Sequence, residues 1–441
     1  MKTFALKLVA LLSVASLVTM SAHAQQPSLQ RQAPAQQRIL NLPQGLTENE
    51  ARAHVIAPAH VENIRIEETN PAREVFYKLP PKVLQFKTTP KLDVGAFGTT
   101  MHTILKDQVT GYILQVRQNG NLIYNLIWNW SKTPVDGSKG WNENTRMHVA
   151  SVSKYLTAVG LVKTLDSKGI SYDAKIIGYL PTYWTKGPNI DKISFRHLMN
   201  HTSGFSTNSS KSDYAFMKGR VAAGVPAANV GTTGDYENMN FGLMRILMPI
   251  INGNVPKGTE FFPLPAINDQ IWDAVTLYHY RKYMQANVFN PAGVFNVQFA
   301  PILGVQNALA YRFPHANVAG WNSGNLASVA GGAGWRLSTK ELLNVMNHMR
   351  RKNTIIPAAK AQLLLDSKFG IDQVIDTPAG KLYNKNGAWG TGDKKTEQCV
   401  AYFFPNGMDV VVFVNSPIST NDPPFSLRGL VKDAFINNLQ G

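Results

Sequence analysis

The chain has 441 residues, 44% of them hydrophobic, and a formal charge of +16 from 44 basic and 28 acidic side chains. That apolar content excludes global disorder, and the length allows two or three structural units around a sizeable core. The single cysteine, Cys399, excludes an intramolecular disulfide, so the core alone must hold the fold; its thiol is expected to pack on a strand.

Residues 1–24 read as a secretory signal peptide. Lys2 and Lys7 make a basic start, Leu8 to Met20 is an apolar run, and Ala22-His23-Ala24 places small residues where a signal peptidase cuts. Cleavage makes Gln25 the first mature residue, implies a periplasmic or secreted protein, and lowers the charge to +14. No other stretch is apolar and long enough to span a bilayer, so no transmembrane segment is expected after signal removal. A basic exported protein suits an anionic cell-wall surface, although the same charge also serves plain solubility. The basic residues are scattered, with no zinc-finger spacing and no RNP-like strand, so no nucleic-acid partner is expected.

Residues 25–90 read as a linker and an irregular extension: 25–48 are rich in Gln, Pro and Ala, and Pro58, Pro71, Pro80, Pro81 and Pro90 punctuate residues 49–90. The main domain is expected over 91–441. Val94 to Leu105 has a helical pattern with Phe97, Met101 and Leu105 on one face. Gly111 to Tyr124 reads as a hairpin around Asn119-Gly120, a pair suited to the left-handed conformation of a two-residue turn. Leu126 to Lys139 reads as a further strand.

Ala150-Ser151-Val152-Ser153-Lys154 stands where this extended region gives way to a helix. Val152, Leu156, Val159 and Val162 recur at helical spacing, and Gly169 closes the run. Ser151 is therefore expected at or just before the first turn, where free N–H groups and the helix dipole favour negative charge. Lys154, three residues on, shares its face, and a desolvated lysine can take the proton of a serine hydroxyl.

Residues 171–330 read as a mostly helical insertion. Ser194 is the expected N-cap of Phe195 to Asn200, and Phe241 to Ile251 and Trp272 to Val288 read as helices. Tyr236-Glu237-Asn238 is expected in a Gly-rich loop before Phe241. His197 and His201 lie four apart, but no glutamate stands between them, so a structural use is expected and no metal site or cofactor. Leu337 to Arg350 is a helix with a capping-box start at Ser338 and Glu341. Lys385-Asn386-Gly387 precedes two apolar strands, Cys399 to Phe404 and Asp409 to Asn415, joined at Pro405-Asn406-Gly407. Lys368-Phe369-Gly370 fits the same Lys-x-Gly spacing but lacks the following strands. Leu427 to Leu439 closes the domain as a helix. With strands at both ends, an α+β fold is expected, the two strand regions pairing into one antiparallel sheet flanked by helices.

Ser-x-x-Lys, Tyr-x-Asn and Lys-x-Gly in this order resemble the three motifs of the penicillin-binding protein and serine β-lactamase superfamily. The stretches HVASVSKYLTAVGLVKTL, ISFRHLMNHTSGF, GGAGWRLSTKELLNVM and VVVFVNS resemble class C β-lactamases and their relatives, which include family VIII carboxylesterases, D-aminopeptidases and D,D-peptidases. The resemblance runs from Val94 to the end and implies an active site between sheet and helical insertion. It implies that Ser151 is acylated, that Lys154 and Tyr236 share proton transfer, and that Asn238 hydrogen-bonds the substrate. Lys385 would add positive charge near Tyr236 and an anionic substrate group. Asn386 and Gly387 would line the bound substrate, and the N–H groups of Ser151 and Ala388 would form the oxyanion hole. The implied substrates are small-molecule esters, β-lactams or peptides. Many relatives carry a hydroxyl residue where Asn386 stands, and Trp389 comes three residues later, which favours esterase-type activity. A non-catalytic cell-wall binding protein on the same fold is the alternative of another class.

Overall fold

The computed structural model describes residues 88–441 except 208, 233, 316 and 419–426. The expected signal peptide and nearly all of the expected linker and extension lie outside the described residues. The strands are β1 (Lys91–Leu92), β2 (Gly111–Gln118), β3 (Asn121–Lys132), β4 (Lys139–Gly140), β5 (Met147–His148), β6 (Arg336–Leu337), β7 (Gln373–Thr377), β8 (Gly380–Gly390), β9 (Thr396–Phe403), β10 (Met408–Val414) and β11 (Leu439–Gln440). The α-helices are α1 (Val94–Leu105), α2 (Val152–Ser167), α3 (Phe195–Met199), α4 (Tyr214–Ala223), α5 (Asn238–Ile251), α6 (Pro265–Met284), α7 (Thr339–Arg350), α8 (Ala358–Asp366) and α9 (Leu427–Asn437).

The expected pairing of distant strand regions is present. A seven-stranded antiparallel sheet runs β4-β3-β2-β10-β9-β8-β7. Its centre is the β2–β10 pair, in register from Gln118 opposite Met408 to Tyr112 opposite Val414. The reason lies in the period of two along apolar strands. In β10, Val410, Val412 and Val414 enter one core while Val411 and Phe413 enter another. In β9, Val400 and Tyr402 go one way and Cys399, Ala401 and Phe403 the other. A sheet apolar on both faces must be covered on both. Helices α1 and α9 cover one side, with Phe435 and Phe97 on either side of Phe404 at ring-centroid distances of 4.3 and 6.0 Å. Helices α2, α5, α6 and α7 cover the other. Between Ser171 and Ala330 the chain is helical segments and loops, as the sequence suggests.

Local signals explain the element ends. Asn119 and Gly120 both take positive φ, 51° and 88°, as a tight hairpin turn requires. Ser194 accepts from the His197 N–H and Ser338 from the Glu341 N–H, both in capping boxes. Gly169 ends α2 at φ 63°. Cys399 is buried in β9.

Two expectations need correction. The hairpin's second strand and the strand after it are one, β3, continuous through Asn125. The Gln115 amide donates to Asn125 Oδ1 at 3.1 Å, so a polar residue that looks like a break is satisfied sideways across the sheet. Helix α5 begins at Asn238, not Phe241, which places Asn238 in a helical first turn. Lys385-Asn386-Gly387 precedes the β9–β10 hairpin as expected, and does so from within a strand of its own, β8. Helix α8 and strand β7 have no counterpart in the sequence reading.

Ser338→Ala should lower the unfolding free energy by about 1 kcal/mol, since it leaves the Glu341 N–H without its cap. Denaturant unfolding of the two proteins measures this; an unchanged midpoint would deny the cap any net contribution.

Candidate active site

The site forms where the start of α2 meets the middle of β8. Ala150 turns the chain at φ 44°, a conformation that strains a side-chain-bearing residue, and Ser151 comes next at the helix N-terminus. The Ser151 N–H belongs to the first turn and has no helical acceptor. Strand β8 passes beside it at Gly387. A Cβ on Gly387 would stand 2.5 Å from Val149 O and 3.0 Å from Ser151 N, so only glycine permits this approach.

The same strand aims a second donor. Strand β8 pairs with β9 from Tyr383 to Gly390 but with β7 only up to Asn384. Beyond that point one edge is free. The Asn386 N–H leaves through this edge, donating to Asp372 Oδ2 at 2.9 Å. Alternate N–H groups of a strand point the same way, so the Ala388 N–H faces the same edge, toward Ser151.

Lys154 is fully buried. Its ammonium donates to Ser151 Oγ at 3.1 Å, Asn238 Oδ1 at 2.5 Å and Gly332 O at 2.9 Å. The other end of the Asn238 amide donates to Ser210 O at 2.9 Å. Asn238 therefore binds Lys154 to the neighbouring loop. Burial pushes the Lys154 pKa below the ordinary lysine value and the Lys385 charge adds to this, while Tyr236 opposes it.

Tyr236 stands between two cations. Lys385 Nζ donates to its hydroxyl at 3.0 Å, and Lys154 and Lys385 lie 4.7 and 4.8 Å from its ring centre. The ring stacks on His201 at 4.3 Å. Burial of the hydroxyl raises the phenol pKa, but the charges of Lys154 and Lys385, with a hydrogen bond from Ser151, outweigh it and bring the value down to about 8. Burial and the same two lysines hold His201 well below the usual histidine value, so it is neutral. Its Nδ1 accepts from the Glu237 N–H at 3.1 Å. Both expected histidines thus have structural partners, His197 serving the α3 capping box.

The sequence-derived residues Ser151, Lys154, Tyr236, Asn238, Lys385, Asn386, Gly387 and Ala388 converge here from α2, α5, β8 and the loop before α5. The cleft has two lobes meeting at Ser151, Tyr236 and Ala388. One, about 670 Å³, is lined by Asn200, Thr202, Asp372, Asn386 and Arg428; the other, about 520 Å³, by Ser206, Ser209, Asp235 and Trp389. Sequence reasoning missed Asp372, Arg428 and the Gly332 carbonyl, because no local spacing marks them; each is brought in by tertiary packing.

Residues 96–424 match the family model described as Beta-lactamase, and the chain belongs to that family. It is similar to penicillin-binding protein 4* of Bacillus subtilis (strain 168), with 26% identity over 204 residues, 44% of this chain and 40% of that protein. The match thus spans about two fifths of that relative's length. A 69-residue stretch, 16% of this chain, is 33% identical to the putative fimbrial assembly protein FimD, serogroup D, of Dichelobacter nodosus, covering 18% of it. Among solved structures, a class C beta-lactamase superposes with TM-score 0.58 at 16% identity, covering 80% of this chain and 98% of that one. A D-stereospecific amidohydrolase from Streptomyces sp. superposes with TM-score 0.55 at 16% identity, covering 77% and 97%. At such identities the likeness establishes the fold: a mixed α+β architecture with a large antiparallel sheet.

The electrostatics yield a spectroscopic prediction. Burial raises Tyr112, Tyr124, Tyr155 and Tyr214 above the usual phenol value, so phenolate appearing near pH 8 should belong to Tyr236. Near-ultraviolet titration should show a one-tyrosine transition at about pH 8 that Tyr236→Phe lacks. A transition unchanged in the variant would remove Tyr236 from the lysine field.

Proposed function

We propose that the chain is an exported serine hydrolase that cleaves ester or amide bonds through an acyl-enzyme on Ser151. The observation that carries this is the Ser151 hydroxyl at a helix start, 3.1 Å from a buried lysine and facing a tyrosine of lowered pKa. In the reaction Ser151 Oγ attacks the substrate carbonyl and its proton leaves to the Lys154–Tyr236 pair. The three acceptors around Lys154 Nζ suit an ammonium, which has three protons to donate. Tyr236, held by two positive charges, is then the better-placed base. Lys385 keeps the phenolate form accessible. The oxyanion develops toward the N–H groups of Ser151 and Ala388, fixed before reaction begins. The leaving alcohol or amine takes the proton from Tyr236, and water releases the acyl group by the same relay in reverse.

Esterase-type activity is favoured over β-lactamase or D,D-peptidase and D-aminopeptidase activity. Asn386 sits where a small hydroxyl would help hold a carboxylate, and Trp389 lines the other lobe of the cleft. The contrasting class is a non-catalytic binder of cell-wall polymer on the same fold, which would keep the cleft but leave Ser151 unreactive.

A fluorophosphonate should label Ser151 in the wild type and not in Ser151→Ala, whose circular dichroism should match the wild type. A wild-type protein that takes no label would favour the binder. Side-by-side kcat/KM values should be higher for a short-chain nitrophenyl ester than for a chromogenic cephalosporin; the reverse order would make this a β-lactamase.

A further inference from the structure

Beside Ser151 three donors converge on one point of the larger lobe. Lys385 brings an ammonium, Asn386 a backbone N–H and Arg428 a guanidinium. Two cations and an N–H directed at one place form a receptor for a carboxylate. The receptor is occupied by the chain itself. Asp372 Oδ1 accepts from Lys385 Nζ at 2.5 Å, and its Oδ2 accepts from Asn386 N at 2.9 Å and lies 3.5 Å from Arg428. This is a fixed contact. The Asp372 N–H donates to Asn384 O at 2.9 Å, which anchors the residue to the strand that carries Lys385 and Asn386. The carboxylate still lines the cleft, with 15% of its side chain exposed.

We propose that Asp372 is an internal carboxylate that fills the anion receptor beside Ser151, so that the cleft selects acyl substrates bearing no negative charge on the arm that enters this lobe. A substrate anion arriving here meets like charge and finds the receptor's donors engaged; rejection by an unmatched charge is a strong source of discrimination. Of the free-edge N–H groups at Asn386 and Ala388, the Asn386 one serves Asp372 and the Ala388 one is left for substrate. Lys385, fully buried, keeps its charge because Asp372 and Tyr236 surround it, and that charge acts on Tyr236 rather than on an incoming anion. The inference rests on the hydrolase reading and names what that site accepts.

The experiment compares matched ester pairs. In one, p-nitrophenyl pentanoate is set against p-nitrophenyl hydrogen glutarate, with the charge on the acyl arm. In the other, phenyl acetate is set against carboxyphenyl acetate, with the charge on the leaving arm. The wild type should favour the neutral member of at least one pair by at least about tenfold in kcat/KM, and Asp372→Asn should shrink that preference by a similar factor. Free butyrate should inhibit Asp372→Asn and leave the wild type unaffected, a readout that mere loosening of the site would not give. Equal turnover of both members of both pairs by the wild type overturns the proposal without any variant. An unchanged ratio in a folded Asp372→Asn does so too. Fluorophosphonate labelling of Ser151 runs alongside: a labelled wild type with no charge preference refutes only this inference, and an unlabelled wild type refutes the hydrolase reading along with it.

Discussion

A lysine with no access to water dictates much of this molecule. Burying an ammonium costs several kcal/mol unless its protons find acceptors, and Lys154 finds three. They come from different parts of the chain: Ser151 on its own helix, Asn238 at the start of α5, and Gly332 in the loop before β6. Satisfying one charge therefore fixes three segments relative to one another. The Gly332 loop is itself held from behind. Buried His148 accepts the Gly334 N–H at its Nε2 at 3.0 Å, and its Nδ1 meets Glu397 on β9 at 3.1 Å. Burial keeps His148 below the usual pKa, so its remaining proton points to Glu397. The sheet, the helical block and the site are joined through polar groups that cannot be left unpaired.

The charges form an alternating arrangement. Lys154 and Lys385 lie 4.7 and 4.8 Å from the centre of the Tyr236 ring, and Asp372 pairs with Lys385. Each cation lowers the pKa of the phenol between them, and each is disfavoured by the other. Asp372 favours both charges but hydrogen-bonds only Lys385. Lys385 consequently sits above the ordinary lysine pKa and Lys154 below it, although both are buried. Two lysines of like burial differ because Tyr236 and a hydrogen-bonded Asp372 together outweigh burial for Lys385, while for Lys154 burial and the Lys385 charge prevail.

What the sequence made legible was local. The Asn119-Gly120 turn, the caps at Ser194 and Ser338, and the apolar alternation of β9 and β10 are each decided by a few neighbouring residues, and the structure has them where the spacing puts them. The order of three short motifs likewise marked candidate residues that the structure brings into one cleft. What escaped is non-local. Asn125 reads as a break because its partner Gln115 lies on another strand. The start of α5 was hidden because Asn238, a modest helix former, is held there by Lys154 and Ser210 rather than by propensity. Asp372 has no signal in the chain at all; its meaning comes from Lys385, Asn386 and Arg428 meeting around it.

The pairing of β2 with β10 has a kinetic side. Tyr112 and Val414 are neighbours in space but about 300 residues apart in the chain. During synthesis the β2–β3 hairpin is complete early, while the strand that must cover the inner edge of β2 emerges almost last. Until then β2 presents an open, apolar edge, a template for pairing with other chains. The loop closed by that contact is large, and its entropy is lost before any contact between the two strands forms. Assembly of the central sheet is therefore a late event, and helix α2 cannot be locked against β8 before it. The cleft is acquired all at once, at the end of folding, and a protein truncated before β10 would keep both Ser151 and Lys154 and have no cleft to put them in.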